Sequence, residues 1–365
     1  MKLAYEIKKE EAVIWRCYDY GTEVELPEQI EGRPVTELAP YAFSAHMEEG
    51  ALERDIRQGR LRLWDSCGAG DGRAEEFPVS GGKNLPPALT GTGLIAVTLP
   101  PALRKIGAYA FYNCSRLRYI SFCGELTDLG AGLFTGCHAI RELELRLDAD
   151  GASCLREILI EVPEKLTVRL EGSVKAKLVF PEFFEESVEN TPARILVIHT
   201  HGSGMNYRNC FYDRKFDFRA YDACFYHAKA EEDFDTVLEM TLARLMYPEQ
   251  LLPEGRAAYE AWLREHAGQA LEKSVDSHDM EALEYLAGLL AVEERAEALL
   301  EQAASRAVSL EFPEGVSYLM DALHRRRKER REEKREEAET TGKAEITEIT
   351  EITEITGKSK SRFEL

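Results

Sequence analysis

A 23-residue spacing of apolar residues constrains the fold of this chain more than any other feature. Val97, Ile120 and Leu143 follow one another at this spacing, and so do Leu99 and Phe122. Such a period lies within the range of repeat proteins whose copies stack along one axis. The positions that we predict to build the repeat are Leu99, Ile106, Gly107, Phe111, Cys114, Leu117, Phe122, Leu129, Gly130, Phe134, Cys137 and Ile140.

The residues of one copy indicate what each part of the unit does. The alternation of Val97 and Leu99 predicts a short strand with one buried face. Gly107 predicts a turn, because glycine bends the backbone without steric cost. Phe111 is predicted to plug the interior, and Cys114 to act as a small hydrophobic residue at the next inward position. One such unit cannot bury its own apolar face, so consecutive copies must stack.

These motifs resemble a known family. The segment Leu99–Leu117 (LPPALRKIGAYAFYNCSRL) is similar to the BspA-like leucine-rich repeat, and Val24–Phe43 resembles the usual first repeat of that family. The resemblance implies that Tyr5–Asp19 forms a strand pair that caps the solenoid. It also implies a binding role, since family members are mostly binding modules. The overall layout resembles uncharacterised clostridial leucine-rich repeat proteins.

Changes of pattern along the chain predict an α+β protein in four parts. We expect an N-terminal leucine-rich repeat β-solenoid over 1–148, with a loop insertion at 45–93, and a small α/β middle segment over 149–230. Residues 231–326 have helical periodicity and predict an α-helical hairpin array. Residues 327–365 are predicted to be a charged helix extension followed by a disordered tail.

The tail prediction depends on two segments. Arg325–Glu339 is almost wholly charged and favours a helix extended into solvent by Glu/Arg pairs. Glu345–Thr356 is four copies of Glu-Ile-Thr, a period of three that matches neither strand nor helix. Such low complexity cannot form a packed core, so we expect disorder there.

One group of residues suggests a metal site in the middle segment. His199 and His201 are two apart on a predicted strand, so their side chains project from the same face. Cys210 follows a glycine-containing turn, and Cys224 and His227 come later. Zinc accepts histidine and cysteine ligands. The spacing also fits a structural or solvent-facing role, and both interpretations stay open at this stage.

Motifs and composition limit the remaining functions. We find no nucleophile elbow, metalloprotease motif or kinase signature, so we expect neither an enzyme nor a cofactor. The formal net charge of −20 disfavours nucleic acid and anionic membranes as partners and favours a basic partner. No stretch of 18 apolar residues is present, so we expect no membrane partner.

The predicted function is therefore a protein-binding scaffold or adaptor that uses the leucine-rich repeat surface. We expect it to be cytoplasmic, because the first residues carry no apolar signal sequence. The partner is another protein, whose identity the sequence does not indicate. The alternative is a metal-binding module or metal-dependent enzyme centred on His199, His201 and Cys210.

Overall fold

A computed structural model shows a mixed α/β protein. It describes residues 1–66, 73–75, 85–190, 195–291, 293 and 295–332. The chain divides into two compact units, Met1–Tyr259 and Glu260–Leu365. Within the described ranges, no helix is long and apolar enough to cross a membrane.

The elements are numbered in chain order. The strands are β1 (Lys2–Lys8), β2 (Glu11–Tyr18), β3 (Glu23–Glu25), β4 (Gln29–Ile30), β5 (Arg33–Leu38), β6 (Arg62–Asp65), β7 (Arg73–Glu75), β8 (Ala96–Thr98), β9 (Lys105–Ile106), β10 (Tyr119–Cys123), β11 (Asp128–Leu129), β12 (Glu142–Leu147), β13 (Leu166–Gly172), β14 (Ala176–Phe180), β15 (Phe184–Asn190), β16 (Ile195–His201), β17 (Phe211–Tyr212) and β18 (Lys215–Phe216). The helices are α1 (Glu49–Arg57), α2 (Leu155–Glu161), α3 (Gly204–Arg208), α4 (Phe218–Ala223), α5 (Phe225–Glu231), α6 (Phe234–Met246), α7 (Pro253–Glu265), α8 (Ala267–Asp276), α9 (Met280–Leu290), α10 (Ala296–Ser309) and α11 (313–332).

The repeat period becomes strand register in a six-stranded sheet. Its order is β14-β13-β12-β10-β8-β3, and every neighbouring pair is parallel except β13 with β14. Val97 on β8 pairs with Ile120 on β10, which pairs with Leu143 on β12. The register continues beyond the 23-residue copies, to Val24 on one side and Val168 on the other. All five side chains are buried and form one continuous apolar row.

A second sheet contains the short strands that follow in each copy. Its order is β11-β9-β5-β2-β1-β6-β7, with β4 paired to β5. Leu38, Ile106 and Leu129 lie in parallel register on β5, β9 and β11. β1 and β2 form the antiparallel pair at Lys2–Tyr18, and β2 continues in parallel with β5. The strand pair implied by the family resemblance therefore extends this sheet.

Stacked phenylalanine rings, one from each copy, lie in the core of the repeats. The Phe43 and Phe111 rings stack with centroids 5.2 Å apart, and Phe111 and Phe134 stack at 5.7 Å. The Cys114 thiol donates to the Phe43 carbonyl over 3.3 Å, and the Cys137 thiol donates to the Phe111 carbonyl over 2.9 Å. Each cysteine therefore links its own copy to the plug of the preceding copy.

The segment 45–93, predicted as a loop insertion, contains regular elements in its described part. α1 lies there, and β6 pairs with β1 on one side and with the edge strand β7 on the other. Leu52, Ile56 and Leu63 from this segment share a buried cluster with Ala4 and Tyr18. The parts at 67–72 and 76–84 lie outside the described residues.

The six-stranded sheet crosses the predicted boundary at 148, because β13 and β14 belong to it. α6 packs against β14. β15 pairs only with β16 among the described strands, in an antiparallel hairpin. Short helices α3, α4 and α5 and the β17–β18 hairpin complete this part of the first unit.

The second unit is helical throughout its described ranges. α8 packs against α9 and α10, and exposed ion pairs join neighbouring helices. Arg306 on α10 donates to Asp276 on α8 over 2.7 Å, and Arg330 on α11 donates to Glu297 over 3.1 Å. α11 is described as far as residue 332, so the predicted low-complexity tail lies outside the described residues.

Candidate protein-interaction surface

Successive copies place one equivalent residue in the left-handed backbone region. The φ angles are 59° at Tyr41, 57° at Tyr109 and 61° at Gly132. Each residue stands two positions before a phenylalanine plug, Phe43, Phe111 or Phe134. Glycine adopts this conformation freely, whereas a residue with a Cβ is destabilised by about 1–2 kcal/mol. Two of the three copies nevertheless carry tyrosine, and such outliers are found preferentially at functional sites.

The two tyrosines stack on one another at the molecular surface. The Tyr41 and Tyr109 ring centroids are 5.4 Å apart, with the planes inclined by 18°. Tyr112 meets the Tyr109 ring edge-on at 5.8 Å, and His46 meets Tyr112 edge-on at 4.8 Å. Such ring arrangements contribute about 0.5–1.5 kcal/mol per pair beyond their buried area.

Together these rings line a surface cleft of about 660 Å³. We call its lining the tyrosine patch: Tyr41, His46, Tyr109, Tyr112, Gly132 and Thr135. None of these residues is an acid, a lysine or an arginine, although the chain carries a net charge of −20. Tyr109 is 36% exposed. The patch is therefore an aromatic area without acidic or basic side chains on a strongly acidic chain.

A buried arginine holds the first edge of the patch. Arg16 on β2 is 2% exposed, and its Nη1 donates to the Tyr41 carbonyl over 3.2 Å. The same nitrogen donates to the carbonyls of Ala42, over 3.3 Å, and Ser44, over 2.7 Å. Its Nη2 forms an ion pair with Glu49 on α1. Arg16 thus fixes the left-handed turn at Tyr41 to the sheet and to the inserted helix.

The glycines at 107 and 130 are required by the spacing of the copies. A Cβ at Gly107 would lie 2.4 Å from the Pro40 nitrogen, and one at Gly130 would lie 2.2 Å from the Ala108 nitrogen. Neither glycine is among those with positive φ. The prediction treated this glycine as a turn residue, but the structure shows that it permits close backbone approach between copies.

The other predicted repeat residues are mostly in the core. Those that are buried are Leu99, Ile106, Phe111, Cys114, Leu117, Phe122, Phe134, Cys137 and Ile140. Leu129 is half-buried on β11, the last strand of its row.

The residues of the predicted metal site are not brought together. His199 and His201 lie on β16 with exposed side chains, and His201 Nε2 lies 3.3 Å from a Glu186 carboxylate oxygen. Cys210 is buried after α3, with its thiol donating to the Asn206 carbonyl over 3.3 Å. Within the described ranges, no group of three or more His, Cys, Asp or Glu side chains is placed to hold a metal ion.

Part of that group does assemble in a different way. The Cys210 and Cys224 sulfurs are 3.9 Å apart. His227 lies one turn after Cys224, and its Nδ1 is 3.1 Å from a Glu231 carboxylate oxygen. This cysteine pair was not predicted as a unit, because 14 residues separate its members.

Sequence reasoning also missed three fully buried arginines, at positions 16, 208 and 244. Arg208 Nε donates to the Leu159 carbonyl over 2.8 Å, and its Nη2 donates to the Val162 carbonyl over 2.9 Å. Arg244 forms a two-point ion pair with Asp222 at 2.7 and 2.8 Å. Burial lowers the pKa of Arg208 to about 10. The sequence around a single arginine does not indicate that its side chain is buried, since arginine side chains are usually exposed.

Comparison with known proteins identifies the repeats. Residues 87–156 match the family model described as "BspA type Leucine rich repeat region (6 copies)". This segment is a BspA-type leucine-rich repeat region. The BspA-type match includes β8 to β12 and the patch residues Tyr109, Tyr112, Gly132 and Thr135. No curated protein matches the chain, and no solved structure matches it.

Proposed function

We propose that this protein is a protein-binding scaffold whose contact surface is the tyrosine patch. The observation that carries the proposal is the stacked pair of half-buried Tyr41 and exposed Tyr109, both in a left-handed backbone conformation that glycine would adopt without strain. Tyrosine is enriched among the interface residues that contribute most of the binding free energy, because a rigid aromatic ring loses little conformational entropy on binding. The repeat family supports the same role, since stacked repeats offer extended binding surfaces.

The partner that fits this surface is a protein segment with exposed arginine or lysine side chains. The face of a tyrosine ring attracts a cation, and an arginine guanidinium also stacks on it. The net charge of −20 draws a basic segment toward the chain and repels an acidic one. The patch then receives the cationic side chain without a competing lysine or arginine of its own.

A capture experiment with matched variants tests the proposal. The Tyr109→Asn/Tyr112→Ser variant removes two rings, and asparagine tolerates the left-handed backbone at 109. Tyr20→Ser/Tyr212→Ser is the control, because these tyrosines lie outside the patch and are 82% and 81% exposed. We expect the native protein and the control to retain one stoichiometric partner from a lysate of the source cells. The patch variant should retain at least about tenfold less of this partner. This is the expected effect of losing a residue that contributes over about 1.4 kcal/mol of binding free energy.

Two results contradict the proposal. One is equal recovery of the partner by the patch variant, measured by quantitative mass spectrometry after its fold has been checked by circular dichroism. The other is recovery of no stoichiometric protein by the native chain.

We infer that the two sheets, whose repeat strands run in parallel, enclose one continuous β-solenoid, supported by their common 23-residue register, and that the second unit is a helical hairpin array. We place the protein in the cytoplasm, which is supported by seven unpaired thiols among the described cysteines. We assign it binding without catalysis.

A further inference from the structure

Two cysteines from separate loops meet beside the β17–β18 hairpin. Cys210 follows α3, and its backbone nitrogen donates to the Tyr207 carbonyl over 3.2 Å. Cys224 stands at the junction of α4 and α5. Their sulfurs lie 3.9 Å apart, and both are free thiols. A disulfide bond is about 2.05 Å long, so an approach of roughly 1.9 Å would join them.

The two thiols differ in access to solvent. Cys210 is 3% exposed, whereas Cys224 is partly exposed. The contact with the Cys210 thiol, together with His227, lowers the pKa of Cys224 to about 7. The same contact, followed by burial, raises the pKa of Cys210. Cys224 is thus the nucleophile and Cys210 the thiol that follows it, because only Cys224 of the two is partly exposed to a dissolved disulfide.

We propose that Cys210 and Cys224 are a reversible dithiol–disulfide site that reacts with low-molecular-weight disulfides. The Cys224 thiolate attacks one sulfur of the small disulfide, forms a bond to it and expels one small thiolate. Cys210 then loses its proton to solvent and attacks Cys224 Sγ, which releases the second small thiolate. The two cysteines lose two electrons, and the small disulfide gains them.

The surroundings favour this pair over the other described cysteines. Cys17, Cys114, Cys137 and Cys154 are buried, which denies them contact with a dissolved disulfide. Burial raises the pKa of Cys17 and of Cys154 to about 12, so these two also stay protonated. Cys123 is the matched comparison. It is partly exposed like Cys224, but burial raises its pKa, and its thiol makes no hydrogen bond with another cysteine in the described part of the chain.

The experiment uses the reduced full-length protein and glutathione disulfide as the probe. After incubation at neutral pH and an acid quench, peptide mass spectrometry should show a Cys210–Cys224 cross-link. The free thiol count should fall by two from the eight cysteines of the chain. Dithiothreitol should restore both thiols.

Variants establish the order of the two steps. Cys210→Ala should accumulate glutathione on Cys224, because the second attack is lost. Cys224→Ser should form no cross-link and leave Cys210 unmodified. Cys123→Ser should behave as the native protein does.

Three outcomes overturn the proposal. They are absence of the cross-link in the native protein, modification of Cys123 at the same rate as Cys224, and failure of Cys210→Ala to trap the glutathione adduct. The native protein supplies the first two results by itself, so a misfolded variant does not remove the test.

Discussion

Gly107 and Gly130 occupy the same place in successive copies, and both are surrounded by backbone atoms of the preceding copy. Gly130 is the tighter of the two, since a Cβ there would lie 2.2 Å from the Ala108 nitrogen. The Gly130 nitrogen also donates to the Ile106 carbonyl over 2.8 Å. A side chain at this residue would therefore separate two hydrogen-bonded strands as well as two packed surfaces.

We predict that Gly130→Ala destabilises the first unit by about 3 kcal/mol, the upper range for overpacking in a well-packed core. The control is Gly50→Ala on α1, where nothing lies within 4 Å of the added Cβ. That change should be neutral or stabilise the unit by up to about 1 kcal/mol, because alanine favours helix. Urea unfolding of the full chain followed by tryptophan fluorescence measures both. Equal midpoints for the two variants would rule out backbone contact as the reason for the glycine.

At the scale of elements, the sheet, the turn after β5 and the inserted helix meet at Arg16. Its guanidinium donates to three carbonyls of Tyr41, Ala42 and Ser44 and pairs with Glu49. These carbonyls lie in the turn that carries the first ring of the tyrosine patch. The insertion therefore supports the candidate surface, although it lies outside the repeat period.

We predict that Arg16→Met destabilises the first unit by about 3 kcal/mol, because it leaves buried carbonyls without donors. Glu49→Gln should change stability by no more than about 1 kcal/mol, since the Glu49 side chain is 43% exposed and the glutamine amide oxygen can still accept from Arg16. Unfolding midpoints in urea compare the two variants. An Arg16→Met effect no larger than that of Glu49→Gln would show that the carbonyl contacts do not stabilise the turn.

On the scale of the whole molecule, charge and repeat architecture act together. The net charge of −20 is spread over a chain whose candidate contact surface contains no Asp, Glu, Lys or Arg. Long-range electrostatic attraction raises the association rate of a basic partner, and the contacts with the aromatic rings then set its dissociation rate. These two contributions respond differently to salt, because only the first is screened over about 8 Å at physiological ionic strength.

We predict that the association rate of the captured partner falls at least about tenfold between low and physiological salt. The patch variant Tyr109→Asn/Tyr112→Ser should retain this salt dependence and dissociate faster than the native protein. Surface plasmon resonance with the purified partner measures both rate constants. An association rate that does not change with salt would exclude a basic partner segment.

The sequence alone determined the repeat, because every copy meets the same packing requirement with residues close together in the chain. The spacing of Val97, Ile120 and Leu143 therefore gives the register of the strands directly, and Phe111 marks the position of its copy that is buried in the core. Secondary structure was also predicted where local pattern sufficed: the strand expected to carry His199 and His201 is β16, Ile195–His201.

Only the tertiary structure decided which distant groups meet. One of the two open interpretations placed Cys210 beside His199 and His201, but its sulfur lies against Cys224, because the chain turns at the β17–β18 hairpin. Arg16 contacts carbonyls 25 to 28 residues away, and no local pattern encodes that contact. The patch tyrosines likewise become neighbours only when Tyr41 and Tyr109, 68 positions apart in the chain, stack across the insertion. Periodic burial is a local property of the chain, whereas the pairing of isolated polar and aromatic side chains depends on how the copies and the insertion pack.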